Sequence, residues 1–390
     1  MTQGLVLLAA GGTGGHIFPA EALARELVAR GRAVALVTDK RGGAFGDDLG
    51  VPVHRIRASS MQRGLRGKAR TGLELAIGAW QARALLNQLK PAMIVGFGGY
   101  PSLPTLFAAR RAGLPYVLHE QNAVLGRANR LFAKHATRIA TSFENVTMLP
   151  EGADARITLT GNPTRPAIAG VAMVGYPKLT SDGRLNILVV GGSQGAHIFS
   201  EIVPAALAHM PENLRKRISI AQQCRADDLP EAKSGFARSG VTAELATFFQ
   251  DMPSRLAAAH IVIARAGAST CAELTVAGRP AILVPYPFAM DDHQAANAEQ
   301  IAASGAAWSI PQRALTPMAL ATRLENLMTA PSGLEKAADA ARALGRADAA
   351  QRLADLVEQV ASRATRPVET QSVEALPVEG LERRTALAAE

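Results

Sequence analysis

Two glycine-rich segments carry the chemistry most readily read from this chain. Gly11-Gly12-Thr13-Gly14-Gly15-His16-Ile17-Phe18 and Gly191-Gly192-Ser193-Gln194-Gly195-Ala196-His197-Ile198-Phe199 align with one inserted residue and two substitutions. Glycines between a strand and a helix expose backbone N–H groups, and the helix N-terminus adds roughly half a positive charge. Each segment can therefore cradle a phosphate, and two copies converging on a cleft make a better case than either alone. Neither copy has the G-x-G-x-x-G spacing of a dinucleotide fingerprint. Only the first has an acid, Asp39, where a ribose contact would be expected. Nicotinamide chemistry is therefore not favoured.

Four further groups of residues have chemical potential. His16 closes the first glycine loop at the carboxyl end of a strand, where open α/β sheets keep their ligands, and is the first candidate for a general base. His119 opens His119-Glu120-Gln121-Asn122 directly after a strand-like run. A lone histidine is more often structural, so His119 and its neighbour Glu120 stand in reserve for that role. Glu273 ends Arg265-Ala266-Gly267-Ala268-Ser269-Thr270-Cys271-Ala272-Glu273 near a helix start. It reads either as a partner of the helix dipole or as a carboxylate gripping a ribose diol. The segment Tyr286–Asn297 is a polar, proline-containing loop entering a helix, typical of a site loop. Its Asp291-Asp292 is not a D-x-D arrangement, and no other carboxylate pair suggests a metal. No metal and no cofactor are expected.

The elements that must position these residues form a repeated pattern. Leu5–Ala10 and Leu185–Val190 are short apolar runs that read as strands buried on both faces. Pro19 is expected to open a helix closed by Gly31, and Ala33–Thr38 reads as the next strand. Further strands are expected at Met93–Phe97, Tyr116–His119 and Arg138–Thr141, then at Ile218–Gln222, Ile261–Ala264 and Ala281–Val284. Alternation with helical patterns argues an α/β chain with two Rossmann-like parallel-sheet halves. Residues 162–184 read as a linker without a strongly periodic element. A last helical pattern spans about 335–363, and 364–390 reads as a disordered tail.

Charge and composition narrow the partners. The 390 residues include 42 Lys+Arg and 33 Asp+Glu, a net charge of +9. Residues 1–165 hold 21 basic and 10 acidic side chains, whereas 166–363 are balanced. The excess in the first half points to an anionic partner there. Between Asp48 and Glu74 stand Arg55, Arg57, Arg63, Arg66, Lys68 and Arg70, with no acid. A helix with two apolar stripes follows: Leu75, Ala79, Ala82, Leu86 and Leu89, and Leu73, Ile77, Trp80 and Ala84. One stripe can serve a core. The second either lies between layers or, beside a basic loop at 63–70, forms an interfacial surface for an anionic membrane. Nothing resembles a nucleic-acid-binding pattern. Two cysteines, Cys224 and Cys271, supply no disulfide framework, and no apolar run is long enough for a spanning helix.

These motifs, together with Leu65-Arg66-Gly67-Lys68, Gly96-Phe97-Gly98-Gly99-Tyr100 and Gly161-Asn162-Pro163 with Arg165, resemble the MurG family of bacterial N-acetylglucosaminyltransferases. The resemblance runs in order over about residues 4–360. It implies a GT-B architecture: an acceptor and membrane-associating domain over 1–163, completed by the C-terminal helix 345–363, and a donor domain over 164–344. The implied reaction is metal-independent and inverting. It moves GlcNAc from UDP-GlcNAc to the C4 hydroxyl of lipid I on the cytoplasmic face of the inner membrane, giving lipid II and UDP. Thr13, Gly14, Gly15, Asn122, Arg165, Ser193 and Gln294 fall on donor-contact positions, Glu273 on the ribose carboxylate, and backbone near Phe249 on the uracil site. Arg66, Lys68, Ile77 and Trp80 are the expected acceptor and membrane residues.

Implied partners are thus UDP-GlcNAc, lipid I and the anionic membrane, with other cell-wall synthesis proteins as further candidates. Two positions depart from the family pattern. Gln222-Gln223-Cys224-Arg225 replaces a histidine-containing segment, and Phe249 is bulkier than the usual aliphatic residue. The alternative reading is another GT-B enzyme acting on UDP-GlcNAc, such as a 2-epimerase.

Overall fold

The computed structural model describes residues 4–11, 14–40, 49–59, 64–180, 182–192 and 196–364. The expected tail from Thr365 onward, Thr13 and Ser193 therefore lie outside the described residues, as does Arg63, whereas Ala364 ends the last helix. Two all-parallel sheets organise the chain. The first runs β3-β2-β1-β4-β5-β6-β7, with β1 Val6–Ala9, β2 Val34–Thr38, β3 Val53–Arg55, β4 Met93–Gly96, β5 Tyr116–Glu120, β6 Arg138–Thr141 and β7 Ile157–Leu159. The second runs β10-β9-β8-β11-β12-β13, with β8 Leu185–Val190, β9 Ile218–Gln223, β10 Ala243–Ala246, β11 Ile261–Ala264, β12 Ala281–Leu283 and β13 Ala307–Ser309. In each, strand order reverses beside the first strand, between β1 and β4 and between β8 and β11. Those switch points are where an open α/β sheet leaves a crevice for ligands.

Strand alternation explains the layering. In β1, Val6 and Leu8 face Leu23 and Leu27 of the helix Gly14–Ala29 and Leu353, Val357 and Val360 of the helix Ala349–Ala364. Leu7 and Ala9 point the other way, onto Leu85, Leu86 and Leu106. A strand covered on both faces needs a continuous apolar run, and all four β1 residues are buried. The second sheet repeats this, with Ile187 and Val189 against Phe199 and Leu324, and Leu188 against Leu256 and Leu274.

Four local expectations are corrected. The first helix begins at Gly14 rather than Pro19, which sits inside it and cannot donate to the Gly15 carbonyl. The segment 162–184 contains the helix Pro166–Val174, whose Ile168 and Val171 are buried in the second domain's core. The pattern 335–363 is two helices, Ser332–Leu344 and Ala349–Ala364, broken at Gly345. A side chain at Gly345 would run into the Thr275 carbonyl, so the chain turns there before reaching the first domain. Finally, residues 65–70 are not a loop but the start of the helix Leu65–Leu89.

Candidate active site

The first switch point is built around His16. Gly98 and Gly99, just past β4, both adopt left-handed backbone conformations, with φ of 83° and 71°. A Cβ at Gly99 would lie 3.2 Å from the His16 ring, so glycine there lets the backbone pass close beneath the imidazole. The half-buried His16 Nδ1 lies 3.0 Å from Gln121 Oε1. Its Nε2 makes no hydrogen bond among the described residues.

The two reserve bases are placed differently from the sequence reading. His119 is wholly buried in β5. Its Nε2 lies 3.1 Å from the Gly161 carbonyl oxygen, and its Nδ1 lies 2.9 Å from Gln121 Nε2. Burial pulls the imidazole down to about 4. With both nitrogens occupied inside the sheet, it has no route to a substrate hydroxyl. Glu120 is equally buried. Its Oε1 accepts from the Asn122 amide at 3.0 Å, and its Oε2 from Gly126 N and Asn129 Nδ2, both at 2.8 Å. This carboxylate organises the loop after β5 and is not a free base.

The second switch point lies past β8 and β11. Gly192 turns with φ 80°, and the helix His197–His209 follows. Glu273 sits in the second turn of the helix Ala268–Ala277. Its Oε1 accepts from Arg165 Nε and Nη2 at 3.1 and 2.9 Å, so two expected donor contacts hold each other in this structure. Burial pushes the Glu273 carboxyl up despite that cation. The Arg165 guanidinium also stands 6.0 Å from the centre of the Phe18 ring, which itself lies against Gly14. The first glycine loop, the interdomain segment and Glu273 are thereby linked. Gln294 Oε1 accepts from the Tyr286 amide at 3.0 Å. The Phe249 ring is buried, with the Arg255 guanidinium 3.9 Å above it. Its bulk is absorbed by core and cation rather than by an open wall.

Residues that the sequence reading quoted only within motifs hold the halves together. Asn297, fully buried, accepts from Ala123 N at 2.8 Å and donates to Asn122 Oδ1 and the Ala266 carbonyl at 3.1 and 3.0 Å. Asp291 takes Arg127 Nη2 at 2.8 Å and also pairs with Arg130. Asp291 and Asp292 both have positive φ, a conformation that aspartate tolerates better than most residues. Among the described residues, His197, Glu201 and Glu231 group closely enough to suggest a metal. All three are exposed, and His197 Nδ1 is already 2.8 Å from Asp228.

The basic helix is oriented by its apolar stripes. Ala82 and Leu86 are buried against the first sheet. The second stripe does not lie between layers: Trp80 is 71% exposed, Leu73 is 62% exposed, and Ile77 is half-buried. Arg66, Lys68 and Arg70 are exposed at the start of the same helix. No described helix is long and apolar enough to cross a membrane.

A two-sheet α/β protein with a ligand crevice at the switch point of each parallel sheet has the architecture of a GT-B glycosyltransferase. The chain belongs to glycosyltransferase family 28: residues 6–141 match its N-terminal domain and residues 186–353 its C-terminal domain. It is 58% identical, over 92% of its length and 94% of the relative's, to the UDP-N-acetylglucosamine–N-acetylmuramyl-(pentapeptide) pyrophosphoryl-undecaprenol N-acetylglucosamine transferase of Rhodospirillum centenum. The protein of the same name from Paramagnetospirillum magneticum is 54% identical over 90% of this chain and 96% of its own. The crystal structure of Acinetobacter baumannii MurG superposes with a TM-score of 0.76 and 31% identity, covering 91% of this chain and 99% of that one.

Proposed function

We propose that this chain transfers GlcNAc from UDP-GlcNAc to the C4 hydroxyl of the muramyl sugar in lipid I, giving lipid II and UDP. The observation that carries this reading is the 58% identity, spanning both domains, to a transferase named for that reaction. The fold supplies a consistent chemistry. His16 Nε2 takes the proton of the acceptor hydroxyl as its oxygen attacks the anomeric carbon of GlcNAc. The bond from that carbon to the β-phosphate oxygen breaks, and its electron pair leaves with UDP. A single in-line displacement inverts the anomeric centre. The growing charge on the diphosphate is met by backbone amides after β8, by the N-terminus of the helix His197–His209, and by Arg165 once it leaves Glu273. Glu273, so released, takes the ribose hydroxyls. This requires no metal.

The exposed Leu73 and Trp80, with the half-buried Ile77 between them, and the cations Arg66, Lys68 and Arg70 would seat the first domain on an anionic membrane, where a lipid-linked diphosphate is presented. The first domain then takes the acceptor and the second the donor. The decisive assay supplies UDP-GlcNAc with and without a lipid I analogue, and follows UDP release together with product mass. Acceptor-dependent UDP release with addition of one GlcNAc is expected. Acceptor-independent 2-epimerisation of the donor, or no UDP release, would overturn the reading.

A further inference from the structure

We infer that Gln121 is a positioning residue that holds His16 in its Nδ1–H tautomer and so leaves the Nε2 lone pair for the acceptor proton. The inference rests on the reading of His16 as the base. It begins from two groups that can only accept. Gln121 Nε2 lies 3.0 Å from the Phe97 carbonyl oxygen and 3.1 Å from the His119 carbonyl oxygen. Those oxygens require N–H donors, so they fix which end of the amide is NH2. The other end, Oε1, is then an acceptor 3.0 Å from His16 Nδ1, and a neutral imidazole must place its proton on that nitrogen.

The same assignment is compatible with the contacts further inside. Gln121 Nε2, whose two hydrogens are shared among three neighbours, also lies 2.9 Å from His119 Nδ1, so that nitrogen must be the unprotonated one. The His119 proton must then sit on Nε2, which faces the Gly161 carbonyl at 3.1 Å. Reversing the Gln121 amide would set its oxygen against two carbonyl oxygens, while a ring flip of His16 would lose the Nδ1 bond. Burial supports the fixed state. Gln121 and His119 are closed off from solvent, so water cannot replace a mismatched partner. The dyads in which a carboxylate orients a catalytic histidine perform the same tautomer selection. Here a neutral amide anchored on backbone does so, adding no charge to a site that must accept a diphosphate-bearing substrate.

The test begins with the wild-type enzyme. 15N spectra of histidine-labelled protein at neutral to alkaline pH, with the His16 signals identified by their loss in His16→Gln, should show a protonated Nδ1 and an unprotonated Nε2. The opposite tautomer, or a mixture of the two, overturns the inference whatever any variant does. Gln121→Leu keeps the bulk but removes the acceptor. It should lower kcat about 10²–10⁴-fold, the range of a lost general base, while KM for both substrates and UDP affinity stay within about threefold. If His16→Ala abolishes turnover but Gln121→Leu retains kcat, the positioning role fails and the base survives. If His16→Ala itself retains turnover, the underlying reading of His16 fails, and this inference falls with it.

Discussion

Acidification should unfold this protein partly through one side chain, His119. Its imidazole is buried in β5 between the Gly161 carbonyl and Gln121, and burial pulls it down to about 4 from the ordinary 6.5. Between those values the unfolded chain carries a proton on this ring that the native chain does not. The contribution to stability is therefore fully present above 6.5 and is lost progressively as pH falls towards 4. At about 1.4 kcal/mol per unit, the full window is worth about 3 kcal/mol, and pH 4.5 already forfeits about 2.5 kcal/mol. That is a large part of the ~5–15 kcal/mol that holds a typical domain folded.

The perturbation is His119→Gln, which can still donate to the Gly161 carbonyl but does not titrate. It should cost about 1–3 kcal/mol at pH 7, because the buried ring packed against Phe97 is lost. It should then lose less between pH 7 and 4.5 than wild type by about 2.5 kcal/mol, since all other titrations are common to both proteins. Urea unfolding at each pH, with pulsed hydrogen exchange read on peptides from β1, β4 and β5, isolates the first domain from the second. Parallel pH dependence in the two proteins, within about 0.5 kcal/mol, would refute the reasoning and mean that His119 is protonated in the native state.

The remaining expectations address the cleft and the surface. Asn297→Ala should destabilise the chain by about 1–3 kcal/mol in thermal or urea melts, because it strands the buried Ala123 amide; unchanged stability would show that the two halves are held elsewhere. Glu273→Gln should raise the KM for UDP-GlcNAc by about tenfold or more with little change in kcat, the loss of a charge-assisted hydrogen bond; an unaltered KM would leave Glu273 as a structural partner of Arg165. Trp80→Glu with Arg66→Glu should weaken binding to vesicles containing anionic lipid by at least about tenfold. Cosedimentation that ignores both the substitutions and the lipid charge would count against a membrane-facing helix.

The features legible in the sequence are those set by neighbours along the chain. Leu5–Ala10 and Leu185–Val190 announce strands covered on both faces because every residue is apolar, and the glycine turns after them mark where a ligand can approach the backbone. The larger strands followed from the same signal. The short edge strands β3, β7, β10 and β13 did not, since three or four residues at a sheet edge carry too little periodicity. The helix Pro166–Val174 was hidden for a related reason, its apolar residues owing their order to packing on the second domain.

Which face of an element meets a partner depended on residues far away in the chain. Leu73 and Trp80 have the spacing of a second core stripe, yet no layer among the described residues covers them. His119 and Glu120 have the chemistry of catalytic groups, and burial against Gly161, Gly126 and Asn129 makes them structural instead. Gln121 and Asn297 look like ordinary polar residues until the sheet and the opposing domain bring their partners within 3.1 Å. Composition and pattern alone determined a two-sheet α/β chain with paired glycine loops and a basic first half. Burial and hydrogen bonding between distant segments, which no local pattern encodes, decided which polar side chains are left free to do chemistry.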